Sequence, residues 1–198
     1  MKRMLVFIAM GGLFVFAGWA FAAEKEAEKA PQKVIDFGEK ELVKWGYDPI
    51  IVKAVKEENA KKKTLEQVKA MDEKWTKTPG IADYMKAMME SECSKHLITK
   101  LLKSQPFFDE IFVMDNLGAN VAMTDKTSDY WQGDEDKFKK SFNEGKGGID
   151  IGDVKFDDST QAYLVQISVP VKEVVDKETK KEIVIGAITI GINIDKFK

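Results

Sequence analysis

The stretch "EIVIGAITIGINI" near the C-terminus constrains this chain more than any other. Side chains alternate along a β-strand, so Ile188, Ile190, Ile192 and Ile194 point to one face and Ala187, Thr189, Gly191 and Asn193 to the other. A strand built this way belongs to a sheet with two different neighbours. The isoleucine face can hold a long helix, while the small, partly polar face leaves room for something that is not a core side chain. In "QAYLVQISVPV", Gln166 and Ser168 share a face opposite Val165, Ile167 and Val169 and can offer hydrogen bonds to the same space.

The rest of the chain divides by period. From about Gln32 to Lys103 apolar residues recur at three and four, as in Leu65, Val68, Met71 and Trp75, which predicts amphipathic helices. Thr64 with Gln67 three positions on predicts a capping box, and Thr78-Pro79-Gly80 interrupts before a long helix that opens near Ile81. The methionines of that helix, Met85, Met88 and Met89, are expected to fill gaps where it lies on a sheet. Pro106 ends the helical half. Beyond it "FFDEIFVMD" and "ANVAMTD" form a hairpin through Asp115-Asn116-Leu117-Gly118, and three further strands follow in "GIDIGDVKF", "QAYLVQISVPV" and the isoleucine-rich segment. Between the second and third strands, Phe138 and Phe142 sit on a short helix that Gly145, Gly147 and Gly148 are expected to end.

The N-terminus reads as a secretory signal peptide: Lys2 and Arg3 precede an apolar run from Met4 to about Trp19, and Ala20-Phe21-Ala22 is a small-x-small cleavage site. The run is shorter than the roughly 20 residues of a spanning helix and contains Gly11, Gly12 and Gly18, which argues against an uncleaved anchor. The expected organisation is a signal peptide at 1–22, a charged lead at 23–31, a helical extension at 32–80 and a ligand-binding domain at 81–198, with the mature protein periplasmic or secreted and soluble. Loss of Lys2 and Arg3 from 31 basic residues leaves 29 against 33 acidic ones, so nucleic acid is an unsuitable partner. Arg3 is the sole arginine, which excludes a bidentate guanidinium clamp from the mature chain. Cys93 is the sole cysteine, so no internal disulfide forms; with His96 it makes only a two-ligand pair, which is poor zinc chemistry. No twelve-residue calcium loop occurs either, and neither metal nor cofactor is expected.

The loop "TDKTSDYWQGDED" places five acidic residues around adjacent aromatics, and Tyr130 and Trp131 there need either a core or a ligand to cover them. With "FVMDNLGANVAMTDKTSDYWQGDE" followed by "IGDVKFDDSTQAYLVQISVPV" and "IGAITIGINID", the segment from Phe107 to Lys198 resembles a Cache domain, the extracytoplasmic relative of the PAS fold. The resemblance implies an α+β fold: a five-stranded antiparallel sheet with a long N-terminal helix and a preceding helical segment. It implies a pocket between the small-residue face and the loop after the second strand, with Tyr130 and Trp131 fencing the ligand or one of them plugging the core. Asp129 and Asp153 are the polar candidates, and Thr124, Gln166, Ser168 and Thr189 complete the expected ligand-binding set. Members that bind amino acids or organic acids often use a loop arginine, which this chain lacks. Lys126 could stand in only as a point charge, so a neutral, amine-bearing or monocarboxylate molecule is the expected ligand.

Catalysis is not expected. A nucleophile–histidine arrangement would have to use His96, mid-helix and far in sequence from the pocket residues, and nothing selects Asp129 and Asp153 as a working carboxylate pair. The expected function is a small-molecule sensor domain without an output module of its own, signalling through a separate membrane receptor or kinase, with homodimerisation through the long helix left open. The alternative is a structural or protein-interaction module whose pocket is filled by its own side chains.

Overall fold

In the computed structural model, which describes residues 28–157 and 160–197, the helical half comes first. The signal segment expected over 1–22 lies outside the described residues. Helix α1 (Gln32–Lys40) runs into a 3-10 turn at Leu42–Tyr47, followed by α2 (Pro49–Ala60) and α3 (Leu65–Lys77). Asp48 caps α2, its carboxylate accepting from the Ile50 amide at 3.0 Å with Pro49 in the first helical position. The capping box of α3 forms as the spacing predicts: Thr64 Oγ1 accepts from the Gln67 amide at 3.2 Å and Gln67 Oε1 from the Thr64 amide at 2.9 Å.

The single long helix expected from Ile81 is two helices, α4 (Asp83–Met89) and α5 (Glu92–Ser104). Ser91 causes the break. Its backbone is extended, at φ −60° and ψ 161°, and its hydroxyl accepts from the Ser94 amide at 3.1 Å, so it starts a new helix instead of continuing the old one.

The strands are β1 (Phe108–Met114), β2 (Asn120–Met123), β3 (Asp150–Ile151), β4 (Lys155–Asp157), β5 (Ala162–Asp176) and β6 (Lys181–Asn193), with α6 (Asp136–Phe142) between β2 and β3. They form one antiparallel sheet in the order β2-β1-β6-β5-β3, and β4 also pairs with β5. The third expected strand is thus interrupted at residues 152–154 and occupies one sheet position as two short pieces. Helices packed on an antiparallel sheet of five strand positions make this an α+β fold. Helix α6 ends on Asn143, left-handed at φ 48°, ahead of the glycines expected to end it; asparagine tolerates that conformation better than most residues.

Two rows of paired residues cross the small-residue face of the sheet. Phe112, Thr189, Ser168 and Asp150 lie opposite one another across β1, β6, β5 and β3; one pleat along, Glu110, Gly191 and Gln166 form the next row. The opposite face carries the main core. Ile111, Val113, Val165, Ile167, Ile188 and Ile190 are inaccessible there, packed with Val34, Leu42, Ile51 and Val55 from the helices and with Cys93 and Leu97 of α5. Each such side chain contributes about 1.5–3 kcal/mol by burial. Gly46 lets the 3-10 turn lie directly on β5, since an added Cβ would run into the Pro170 carbonyl oxygen. A second core sits on the small-residue face, where Val68 and Trp75 of α3, Met85 of α4 and Phe138 of α6 cover Phe112, Met114 and Ala187. Met88 and Met89 pack against it as gap-fillers.

Candidate ligand-binding groove

The loop after β2 is held from outside the sheet by α3. Asp72 Oδ1 accepts from the amides of Tyr130 at 2.8 Å and Trp131 at 3.0 Å, and Trp75 Nε1 donates to the Thr127 carbonyl at 2.9 Å. Asn120 holds it from within, its Nδ2 donating to Thr127 Oγ1 at 2.8 Å and to the Asp129 carbonyl at 3.0 Å. Lys126 also serves to tether the loop. Its ammonium donates to the carbonyls of Thr78 at 3.1 Å and Gly80 at 2.9 Å. The bonds from Asp72, Trp75 and Asn120 satisfy loop backbone groups at Tyr130, Trp131, Thr127 and Asp129 and tie them to a helix and a strand.

Between this loop, α6, β4 and the sheet runs an open groove. Its larger part encloses about 640 Å³ along β3 and α6, floored by Leu164 and Gln166 and walled by Lys140, Asp150 and Asp153. Its smaller part, about 300 Å³, reaches under the loop to Glu110, Phe112, Thr127 and Gln132. Gln166, Lys137, Phe156 and Asp157 border both, so the two parts adjoin. The lining is chemically mixed. Phe112 is almost wholly buried in the floor, whereas Phe156 is 49% exposed at the rim, where it meets Tyr163 edge to face.

Charge in the groove is largely paired. Lys29 holds Asp153 at 3.0 Å, Lys140 holds Asp136 at 3.0 Å and Asp150 at 3.2 Å, and Lys137 holds Glu135 at 3.1 Å while its ammonium lies 5.3 Å from the Phe112 ring centre. Asp157 accepts from the Thr160 amide at 2.8 Å, a turn role. Glu110 differs. Its half-buried carboxylate takes a hydrogen bond from Gln166 Nε2 at 2.7 Å, and its side chain fills the space over Gly191, where an added Cβ would lie 2.5 Å from Glu110 Cγ. Enclosure pushes the Glu110 carboxyl above its ordinary range against the opposing Gln166 bond; Asp157 and Asp109 push the same way and Lys137 the other.

The expected site residues are not gathered in one place. Gln166 floors the groove and Asp153 stands at its rim. Ser168 and Thr189 are wholly buried and bonded to each other at 2.7 Å, so the space directly over Thr189 is closed by the protein itself. Thr124 prolongs the β-ladder, its hydroxyl accepting from the Ile111 amide at 2.9 Å, and borders a separate hollow of about 240 Å³ on the far side of Glu110. Tyr130 is core: it packs 5.8 Å from Trp75 and its hydroxyl accepts from Lys63 at 2.9 Å. Trp131 donates from Nε1 to the Leu117 carbonyl at 2.8 Å, with Lys69 4.7 Å from the ring. Together with Asp129 it faces an outer hollow bordered by Asp72 and Asp134, away from the sheet. The space between Thr189 and Trp131 is thus filled, and the open groove lies one pleat along the sheet, beside β4. Reasoning from sequence missed Glu110, Phe112, Lys137 and Phe156. The alternation that grouped Gln166 with Ser168 also groups Glu110 with Phe112 in "FFDEIFVMD" and would have found two of them.

Elsewhere, His96 Nε2 lies 2.8 Å from Asp48 Oδ2, which Lys100 also holds at 2.9 Å. Cys93 is buried, and enclosure, reinforced by the charges of Asp48 and Glu92, pushes its thiol up to about 12, which leaves it a poor nucleophile. Among the described residues no cluster of three or more histidine, cysteine or acidic side chains is arranged to hold a metal, and no helix is long and apolar enough to cross a membrane.

Neither protein-family models nor curated proteins give a match to this sequence. Among solved structures, the sensor domain of the V. cholerae histidine kinase DctB is similar at a TM-score of 0.36 and 9% identity, over 82% of this chain and 54% of that one. The chain thus spans about half the length of that sensor domain.

Proposed function

We propose that this chain is an extracytoplasmic sensor domain that takes a small organic molecule into the groove and reports its presence to a membrane receptor or kinase. The observation that carries this reading is the groove itself: an open, mixed-polarity hollow on the sheet face opposite the isoleucines, bounded by a loop that α3 holds in place. Its volume is in the range of small-molecule sites, and its combination of aromatic wall, amide and carboxylate is what orients such ligands. Placement outside the cytoplasm rests on the N-terminal signal pattern. A second reading, an interaction module that holds no ligand, is favoured by the closed space over Thr189 and the buried Tyr130. A thermal-shift and native mass-spectrometry screen across amino acids, small carboxylates, amines and alcohols separates the two. A saturable rise in melting temperature with a matching mass adduct supports the sensor; no adduct from any class, with a protein co-purifying instead, supports the module.

A further inference from the structure

We infer that the groove selects a protonated amine with a short apolar body, and that Glu110 is the group that anchors it. This inference rests on the sensor reading above and narrows its ligand class. The first ground is charge. The smaller part of the groove is bordered by the carboxylates of Glu110 and Asp157 against the single ammonium of Lys137, and Lys137 is already paired with Glu135 at 3.1 Å. A carboxylate ligand seated against Glu110 would meet a like charge, with Lys137 already committed to Glu135, whereas an ammonium would meet the opposite charge of the Glu110 carboxylate.

The second ground is the environment of Glu110. Among the described residues its carboxylate accepts from a neutral amide, Gln166 Nε2 at 2.7 Å, and not from a cation. Taking a carboxylate partly out of water beside Phe112 is unfavourable unless an opposite charge compensates, and the groups that face it from neighbouring elements are Lys137 of α6, Asp157 of β4 and Gln166 of β5, with Asp109 on its own strand. An incoming ammonium supplies that compensation and makes a charge-assisted hydrogen bond. The third ground is the wall: Phe112 beneath and the exposed Phe156 at the rim offer apolar surface to the remainder of the molecule, and the volume of about 300 Å³ keeps that remainder small.

The test uses isothermal titration of the protein with two matched series, isobutylamine, isobutanol and isobutyrate, and phenethylamine, phenethyl alcohol and phenylacetate. The amines are expected to bind at least tenfold more tightly than their neutral and anionic counterparts. Glu110→Gln, which preserves shape and the contact to Gln166, is expected to erase that preference. Amine affinity should also fall as pH drops from neutral toward the ordinary glutamate value of about 4.3, because the carboxylate that holds the ammonium becomes neutral. The pH series reads the same anchor in the unmutated protein, so the inference stays testable even where Glu110→Gln folds poorly. Equal binding across a series, tighter binding of the carboxylates, or amine binding indifferent to both Glu110→Gln and pH overturns the assignment of Glu110 while leaving the groove a ligand site. Absence of binding by all six compounds overturns the amine assignment, whereas the sensor reading falls only with the wider screen described above.

Discussion

Asp115 is a buried charge whose removal the structure makes costly. It is 1% exposed, at the β1–β2 turn, and its Oδ1 accepts from the amides of Leu117 at 2.9 Å and Ala119 at 3.0 Å. Its Oδ2 lies 3.0 Å from Lys63 Nζ, which also reaches Glu58 at 3.0 Å and the Tyr130 hydroxyl at 2.9 Å. Burial works against the Lys63 charge, but the Tyr130 bond and the charges of Asp115 and Glu58 outweigh it and hold the ammonium above its ordinary range. Asp115→Ala therefore leaves a buried amide at Ala119 without its side-chain acceptor and an enclosed cation short of one counter-charge. Breaking one side of a buried pair costs about 3–5 kcal/mol. Asp115→Asn keeps an acceptor for the amides and loses only the charge, so it should cost about 1–3 kcal/mol. Urea unfolding at neutral pH measures both, and a cycle with Lys63→Met isolates the pair. The expected coupling is about 1–3 kcal/mol, in the range for residues of one network. A cost for Asp115→Ala below about 1 kcal/mol, or strict additivity with Lys63→Met, would refute the reasoning, since surface pairs give values that small.

Three other perturbations have defined outcomes. Ser168→Ala or Thr189→Val alone should cost about 1–3 kcal/mol in urea unfolding by stranding the other hydroxyl, whereas the double variant should be close to neutral; the double variant should also leave ligand affinity intact, because the pair lies outside the groove. Gly46→Ala should lower stability by about 1–3 kcal/mol or more, since the methyl runs into backbone at Pro170 and not into a side chain that can turn aside; an unchanged melting temperature would refute the close contact of the 3-10 turn with β5. In Asp48 and Glu58, burial raises each carboxyl but ion pairs and hydrogen bonds outweigh it and leave both lowered, Asp48 through His96, Lys100 and the Ile50 amide and Glu58 through Lys61 and Lys63. Their stabilisation is complete above the unfolded values of about 3.9 and 4.3 and is lost as pH falls through the lower folded ones, so Asp48→Asn with Glu58→Gln should lower the melting temperature at neutral pH and flatten its fall in acid.

The fold was legible because burial leaves a period in the sequence. The isoleucines of β6 and the capping box at Thr64 describe local geometry, and local geometry is what alternation and spacing encode. The break at Ser91 was legible too, since serine three positions before Ser94 can cap a new helix, but the unbroken apolar pattern across it masked the signal. The site was harder to read. Ser168 and Thr189 do share the polar face, yet neighbours on paired strands can satisfy each other, and alternation alone does not say whether a hydroxyl meets a ligand or another hydroxyl. Tyr130 and Trp131 do need cover, but the cover comes from Trp75 and the Leu117 carbonyl, partners 55 and 14 positions away that no local pattern pairs with them.

The groove's position is set by where the small residues on β6 stop being covered. At Ala187 and Thr189 the space above the strand is taken by Phe138, Phe112 and the Ser168 hydroxyl, so those small side chains serve packing. At Gly191 the absent Cβ is replaced by Glu110, a residue that cannot be buried as completely as a phenylalanine without a partner for its charge. The polar row therefore stays open, and the interruption between β3 and β4 lets residues of both pieces border it. Loop residues Thr127 and Gln132 reach this row because Asp72 and Trp75 of α3 hold the loop across it. A helix that reads as part of an N-terminal extension thus stands behind the groove without lining it, and it fixes the position of Thr127 through the 2.9 Å bond from the Trp75 indole to the Thr127 carbonyl.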